Sequence, residues 1–145
     1  MTLTLLGLQV LSTVFMTGLI WFVQIVHYPL MDNVAGEAFT RYERRHQRAT
    51  TWVVAPAMLV ELVTAIGLVV VLSQPYARAL AIAGLALVLA IWGSTLGLQM
   101  PLHRRLAEGH QPALIHRLVQ TNWIRTVLWS LRSALVLLLA YEVMG

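Results

Sequence analysis

Four stretches of this chain stay apolar for about 20 residues, the length needed to cross the hydrocarbon of a bilayer as a helix, and the segments between them are polar and rich in arginine. They run over about 3–28, 50–72, 79–98 and 120–142. The first and third carry no ionised side chain, the second holds Glu61, and the fourth holds Arg125 and Arg132. None alternates strictly between apolar and polar positions, so they read as helices and not as barrel strands. Residues 37–49 and 112–119 add two short segments of helix-forming composition, one leading into the second stretch and one into the fourth. The expected fold is all-α: a single integral membrane bundle of four transmembrane helices over residues 1–145. Pro56 predicts a kink inside the second helix. Pro29 and Pro101 are expected to end the first and third helices, and Pro75 marks a tight turn.

The arginines orient the bundle. Arg41, Arg44, Arg45 and Arg48 lie between the first two stretches, and Arg104, Arg105 and Arg117 between the last two. The remaining connection has only Arg78 beside it. By the positive-inside rule both Arg-rich loops face the cytoplasm and both termini face outward. A bacterial inner membrane is the expected location. The first stretch lacks a basic flank and exceeds the ~7–15 apolar residues of a signal peptide, so it is expected to remain as a helix.

Composition narrows the chemistry. The chain is 59% hydrophobic and only 11% charged, with a mean hydropathy of +0.74, far from the roughly 25% charge of soluble domains. The absence of cysteine excludes disulfides, thiol catalysis and iron–sulfur clusters. All ten basic residues are arginine, and topology accounts for them, so nucleic acid is not an expected partner. Membrane lipids and a lipophilic small molecule are.

An ionised side chain at membrane depth costs about 2.5–3.5 kcal/mol on the insertion scale, which makes Glu61, Arg125 and Arg132 the natural start of a site. Asn122, Arg125, Trp129 and Arg132 are spaced three, four and three apart, so they share one helix face. Arg132 sits roughly 18 Å along its helix at 1.5 Å per residue, and Glu61 is at similar depth, which predicts a Glu61–Arg132 pair. One carboxylate against two arginines leaves a positive charge suited to an anionic or carbonyl oxygen. A purely structural ion pair is the alternative.

A second group gathers at the Arg-rich end: Gln24, His27 and Tyr28 on the first helix, Tyr42, Glu43 and His46 on the second, Gln99 and His103 on the third. His27, Glu43, His46 and His103 are candidate ligands for a single zinc, copper or iron ion. A haem between two of these histidines is a weaker candidate because they lie near the end of the bundle. Glu43-x-x-His46 occurs once, whereas di-iron bundles need it twice. Trp21, Trp92 and Trp129 lie deep enough to line an apolar pocket. Ala79, Ala83, Ala86, Ala90, Gly93 and Gly97 form a small-residue face. Gly93 and Gly97 either pack centrally or form a homo-oligomer seam.

The segment Gln99-Met100-Pro101-Leu102-His103-Arg104-Arg105-Leu106, followed by Asn122-Trp123-Ile124-Arg125, resembles the anthrone oxygenase family of small four-helix membrane proteins. The resemblance covers about the last third of the chain and the four-span plan; Gln99 and His103 stand where members tend to have asparagine. It implies oxidation of a lipophilic phenolic substrate without an obvious bound cofactor. The expected function is thus a membrane-embedded enzyme, oxidoreductase- or oxygenase-like. In that reading Arg125 and Arg132 stabilise developing negative charge, and His46, His103 or Glu61 moves the proton. Asn122, Trp129, Gln99, Tyr28 and Gln24 contact the substrate. A His-ligated metal or haem redox module and a small transporter or channel subunit are the alternatives. For the latter, Pro29 and Pro101 hint at an internal repeat.

Overall fold

A computed structural model describes residues 1–34 and 36–145. Among the described residues the fold is helical throughout. Four helices are long and apolar enough to cross a membrane: α1 (Thr2–Asn33), α2 (Glu37–Val71), α3 (Pro75–Leu106) and α4 (Pro112–Met144). They fit a transmembrane four-helix bundle. Each exceeds its apolar stretch: the short helical segments expected at 37–49 and 112–119 are continuous with α2 and α4, and α1 and α3 run on past Pro29 and Pro101. α2 continues unbroken through Pro56. Pro75 and Pro112 each occupy a first helical position, where the missing N–H has no partner to lose.

Pro29 and Pro101 do not end their helices. One residue short of each proline the helix has widened by one residue into a π turn, Val23–His27 in α1 and Thr95–Gln99 in α3. The N–H of Tyr28 then reaches back five residues to Val23, and that of Met100 to Thr95. A proline in a regular helix clashes with the carbonyl four residues earlier. The widened turn moves that carbonyl aside, so the chain keeps its direction. Widened turns of this kind gather at functional sites, and both of these lie at the same end of the bundle. The Ser94 hydroxyl bonds to the Gln99 amide oxygen at 3.1 Å. Residues five apart point away from each other in a regular helix and meet only where a turn is expanded.

Three apolar layers and two polar ones stack along the bundle. Leu6, Leu68, Leu72, Ala81 and Leu139 close the end bearing the termini. Met16, Ile20, Met58, Ile91 and Trp129 form the middle layer. Met31, Phe39, Leu102, Leu106, Ile115 and Leu118 close the Arg-rich end. Polar groups fill the two gaps. The outside carries large apolar residues such as Leu3, Val63, Val70, Leu131 and Leu137, as expected of a surface that contacts lipid.

The small-residue face of α3 does not pack centrally. Ala79, Ala83, Ala86, Ala90, Gly93 and Gly97 are all exposed. α3 meets its neighbours instead through Ala77, Ala81, Gly84, Val88 and Ile91. A Cβ added at Gly84 would lie 3.3 Å from the Arg132 guanidinium and 3.3 Å from Leu135, whereas Gly93 and Gly97 have nothing within 4 Å. Gly84→Val is therefore expected to destabilise the protein by about 1–3 kcal/mol, the usual range for overpacking. Gly93→Ala and Gly97→Ala should leave the single chain unaffected. Denaturant titration in micelles dilute enough to hold one chain each would test both.

Candidate functional site

The deeper polar layer is built on Glu61. Its Oε1 accepts from Arg132 Nε at 3.0 Å and from the Thr13 hydroxyl at 2.8 Å. Its Oε2 accepts from Trp129 Nε1 at 3.0 Å. Gln9 donates to Thr13 at 3.1 Å and accepts from Thr64 at 2.8 Å, and Arg132 Nη1 donates to the Gly84 carbonyl. All four helices thus meet at one carboxylate and one guanidinium, whose charges cancel. Arg132 Nη2 is the buried atom here without a partner. It adjoins a void of about 10 Å³ lined by Gln9, Gly84 and Leu135, space for about one water molecule. The predicted Glu61–Arg132 pair forms, in a closed layer.

The second polar layer, one apolar layer away, is open. Glu43 Oε1 faces His103 Nδ1 at 2.7 Å, and Gln47 donates to the same oxygen at 3.0 Å and to the His103 carbonyl at 2.8 Å. The other ring nitrogen of His103 lies 2.9 Å from the Tyr28 hydroxyl, to which Arg125 Nη2 donates at 3.2 Å. Arg125 also donates from Nε to Asn122 Oδ1 at 2.9 Å; Asn122 in turn donates to Gln24 at 2.8 Å. Gln24 donates to the Val119 carbonyl at 3.1 Å. The line Glu43–His103–Tyr28–Arg125 therefore draws one group from each helix. Glu43 is fully buried, Tyr28 is 4% exposed and Arg125 7%.

Donor and acceptor inventory limits where protons can sit. A guanidinium only donates, so the Tyr28 oxygen accepts from Arg125. The Glu43 carboxylate accepts the Nδ1 proton of His103. A single proton remains between the Tyr28 oxygen and His103 Nε2, and it can reside on either. When it is on His103, the tyrosinate lies against Arg125 and the imidazolium against Glu43. Both arrangements have the same total charge, and the two charges formed by the transfer lie beside Arg125 and Glu43 respectively. This is the carboxylate–imidazole–hydroxyl logic of nucleophile and general-base sites, with tyrosine as the terminal group.

A cavity of about 250 Å³ opens onto this line between α2 and α3. Tyr28, His103, Arg125, Gln99, Trp92 and Met58 are among its walls. Two of these have buried donors without partners, Gln99 Nε2 and Trp92 Nε1. The Ser94 bond holds the Gln99 oxygen, which leaves its amide N–H groups free. Unpaired buried donors are costly, and both belong to residues that line the cavity.

The residues proposed from sequence therefore fall into separate places. Arg125 belongs with Tyr28 and His103, and Arg132 with Glu61; Met16, Ile20, Met58, Ile91 and Trp129 lie between them. The void at Arg132 and the cavity at Arg125 share no lining residue, so the two arginines do not act on one ligand. Glu43 stands 2.7 Å from His103, at the opposite end of the line from Arg125. Gln99 and Tyr28 face the cavity, whereas Asn122 holds Arg125 and is itself held by Gln24, and Trp129 holds Glu61. Trp92 lines the cavity, but Trp21 lies on the outside, edge-on to Trp123 and bonded to Ser130.

The four candidate metal ligands pair off instead of converging. His103 has both ring nitrogens engaged, one with Glu43 and one with Tyr28. His27 Nε2 faces His46 Nδ1 at 2.9 Å, which Thr50 also approaches at 3.2 Å. Among the described residues, no group of three or more His, Asp or Glu side chains is placed to share one ion.

Gln47, Thr13, Gln9 and Thr64 were not singled out from the sequence. For Gln9 and Thr13 the signal was there: they lie four apart in an uncharged span, and polar pairs in apolar helices need partners. No family model, curated protein or solved structure matches this chain.

Glu61→Leu is expected to cost about 3–5 kcal/mol, since it strands a buried guanidinium. The double variant Glu61→Leu/Arg132→Leu should recover most of that loss. Unfolding of the solubilised variants would show it as a coupling between the two positions.

Proposed function

We propose that this chain is a membrane-embedded enzyme that removes a proton from a lipophilic substrate bearing an acidic or carbonyl oxygen, and that the cavity at Tyr28 is where it does so. The observation that carries this reading is the unbroken line Glu43–His103–Tyr28–Arg125, which ends on a cavity wall beside two unpartnered donors. Tyr28 exchanges the proton, His103 takes it up or returns it, and Glu43 holds the imidazole in the tautomer that can do so. Arg125 faces the oxygen on which negative charge develops. Gln99 and Trp92 donate to the substrate oxygen. Glu61 and Arg132 tie the helices together in the adjoining layer and do not touch the substrate.

The resemblance of the Gln99–Leu106 and Asn122–Arg125 segments to anthrone oxygenases extends the reading to oxidation. Deprotonating an activated methylene beside a carbonyl gives an electron-rich anion that dioxygen can oxidise. The overall change, CH₂ plus O₂ to C=O plus H₂O, balances without a further reductant. Placing the Arg-rich end in the cytoplasm of a bacterial inner membrane rests on the positive-inside rule. A homo-oligomer joined at Gly93 and Gly97 is suggested by their exposure on α3.

A transport reading has one observation in its favour, the repetition of a widened turn before a proline in α1 and α3. Against it, the apolar layer at Met16, Met58 and Trp129 separates the polar groups that a path would need to join.

Oxygen uptake by the purified chain in vesicles, measured over a panel of lipophilic phenolic ketones, tests the enzyme reading. Tyr28→Phe and His103→Gln are each expected to lower turnover by about 10²-fold or more, within the usual range for general acid–base catalysis. Arg132→Gln should lower stability more than turnover per folded molecule. Uptake that is absent across the panel, or retained in Tyr28→Phe, would overturn the assignment.

A further inference from the structure

The walls of the cavity decide the direction from which a ligand can reach it. Toward the middle of the bundle it is closed by Met16, Ile20, Met58, Ile91 and Trp129. Toward the Arg-rich end the core is closed by Phe39, Leu102, Leu106 and Leu118. Its inner wall is Tyr28, Gln99 and Arg125, all buried. Thr51, Leu96, Met100 and Arg104 also line it, and all four are exposed on the outer flank of the bundle. The cavity therefore runs sideways, from the core to the outside, through the gap between α2 and α3.

The depth of that mouth is marked by its neighbours. Thr51 begins the apolar stretch of α2, and Leu96 nears the end of the apolar stretch of α3. Trp52, beside Thr51, is 76% exposed, the placement of a tryptophan that marks the edge of the hydrocarbon. On the outer side of that edge Arg48 and Arg104 are exposed. An opening at this level meets acyl chains on one side and headgroups on the other.

Size adds a second constraint. At about 250 Å³ the cavity falls below the roughly 300–1,000 Å³ that enclose a whole drug-sized ligand. It can hold a ring-sized head, and the rest of a larger molecule would extend through the mouth.

We propose that the ligand is an amphiphile that reaches the cavity laterally from the leaflet at the Arg-rich end, by way of the mouth at Thr51, Leu96, Met100 and Arg104. Its acidic or carbonyl head meets Tyr28, Gln99 and Arg125, and its apolar tail stays in lipid. Arg104 at the rim favours heads that carry negative charge. The inference rests on the cavity being the ligand site of the proposed enzyme, but it does not depend on which reaction takes place there.

The test uses the full chain in phosphatidylcholine vesicles and an alkylphenol with a diazirine in its tail, and peptides labelled on illumination are identified by mass spectrometry. The label is expected on the segments bearing Thr51, Leu96 and Met100. 4-Nonylphenol should suppress it about tenfold more effectively than phenol at equal aqueous concentration. Leu96→Trp, which fills the mouth from the lipid side, should cut labelling about tenfold, and Leu96→Ala should raise it. Label on other faces of the bundle, labelling indifferent to both Leu96 variants, or equal suppression by phenol would overturn the proposal. Tyr28→Phe should keep the tail label; retained labelling alongside undiminished turnover in that variant would overturn the proton relay and leave the lateral path standing.

Discussion

The constraint on which the rest of the structure depends is that no polar group in an apolar bundle can be left to find water. Glu61 shows how strictly it is met. Its two oxygens take three donors, one each from Arg132, Trp129 and Thr13, and the atoms one bond further out are bound in turn by Gln9, Thr64 and the Gly84 carbonyl. Burial of apolar surface contributes little to association between helices surrounded by lipid, so close packing and such polar contacts must hold them. A carboxylate bound from α1 and α4, with its guanidinium anchored on α3, fixes the rotation of all four helices at once. The layer closer to the Arg-rich end inherits that rotation.

Against this closed layer, the open one stands out. His103, Tyr28 and Arg125 are bonded to one another and face a cavity, whereas Glu43 behind them keeps one oxygen without a partner, and Gln99 and Trp92 have unused donors. The two layers obey the same rule with different results. In the first, the Glu61 carboxylate is fully bonded and only Arg132 Nη2 is left over, beside a void of about 10 Å³. In the second, one proton lies between Tyr28 and His103, and the Gln99 and Trp92 donors have no partner. A site that binds and moves a proton requires that kind of incompleteness.

The widened turns connect the two themes. Pro29 and Pro101 each would break a regular helix, and one inserted residue lets α1 and α3 pass through. The insertion also rotates the remainder of each helix, so that Tyr28 and His103 point at each other across the bundle. The same local device that accommodates the prolines thus accompanies the contact between Tyr28 and His103.

Much of this was legible in the chain. Periods of apolar residues gave four helices because hydrocarbon admits few alternatives, and spacing alone placed Asn122, Arg125, Trp129 and Arg132 on one face. The Glu61–Arg132 pair followed from matching depths and opposite charges. Other features were beyond its reach. Prolines at 29 and 101 read as helix ends, because propensity is a statement about regular turns and carries no information on a widened one. The four candidate metal ligands read as one group, because position along a helix gives depth but not the partner a ring nitrogen chooses. Whether Arg125 and Arg132 shared a chamber depended on what filled the space between them, and Met16, Ile20, Met58 and Ile91 reach that space from three different helices. Sequence determined which residues must avoid lipid; only the packing of α1 to α4 decided which of them would meet, since contact is set by helix rotation and side-chain volume summed over the whole bundle.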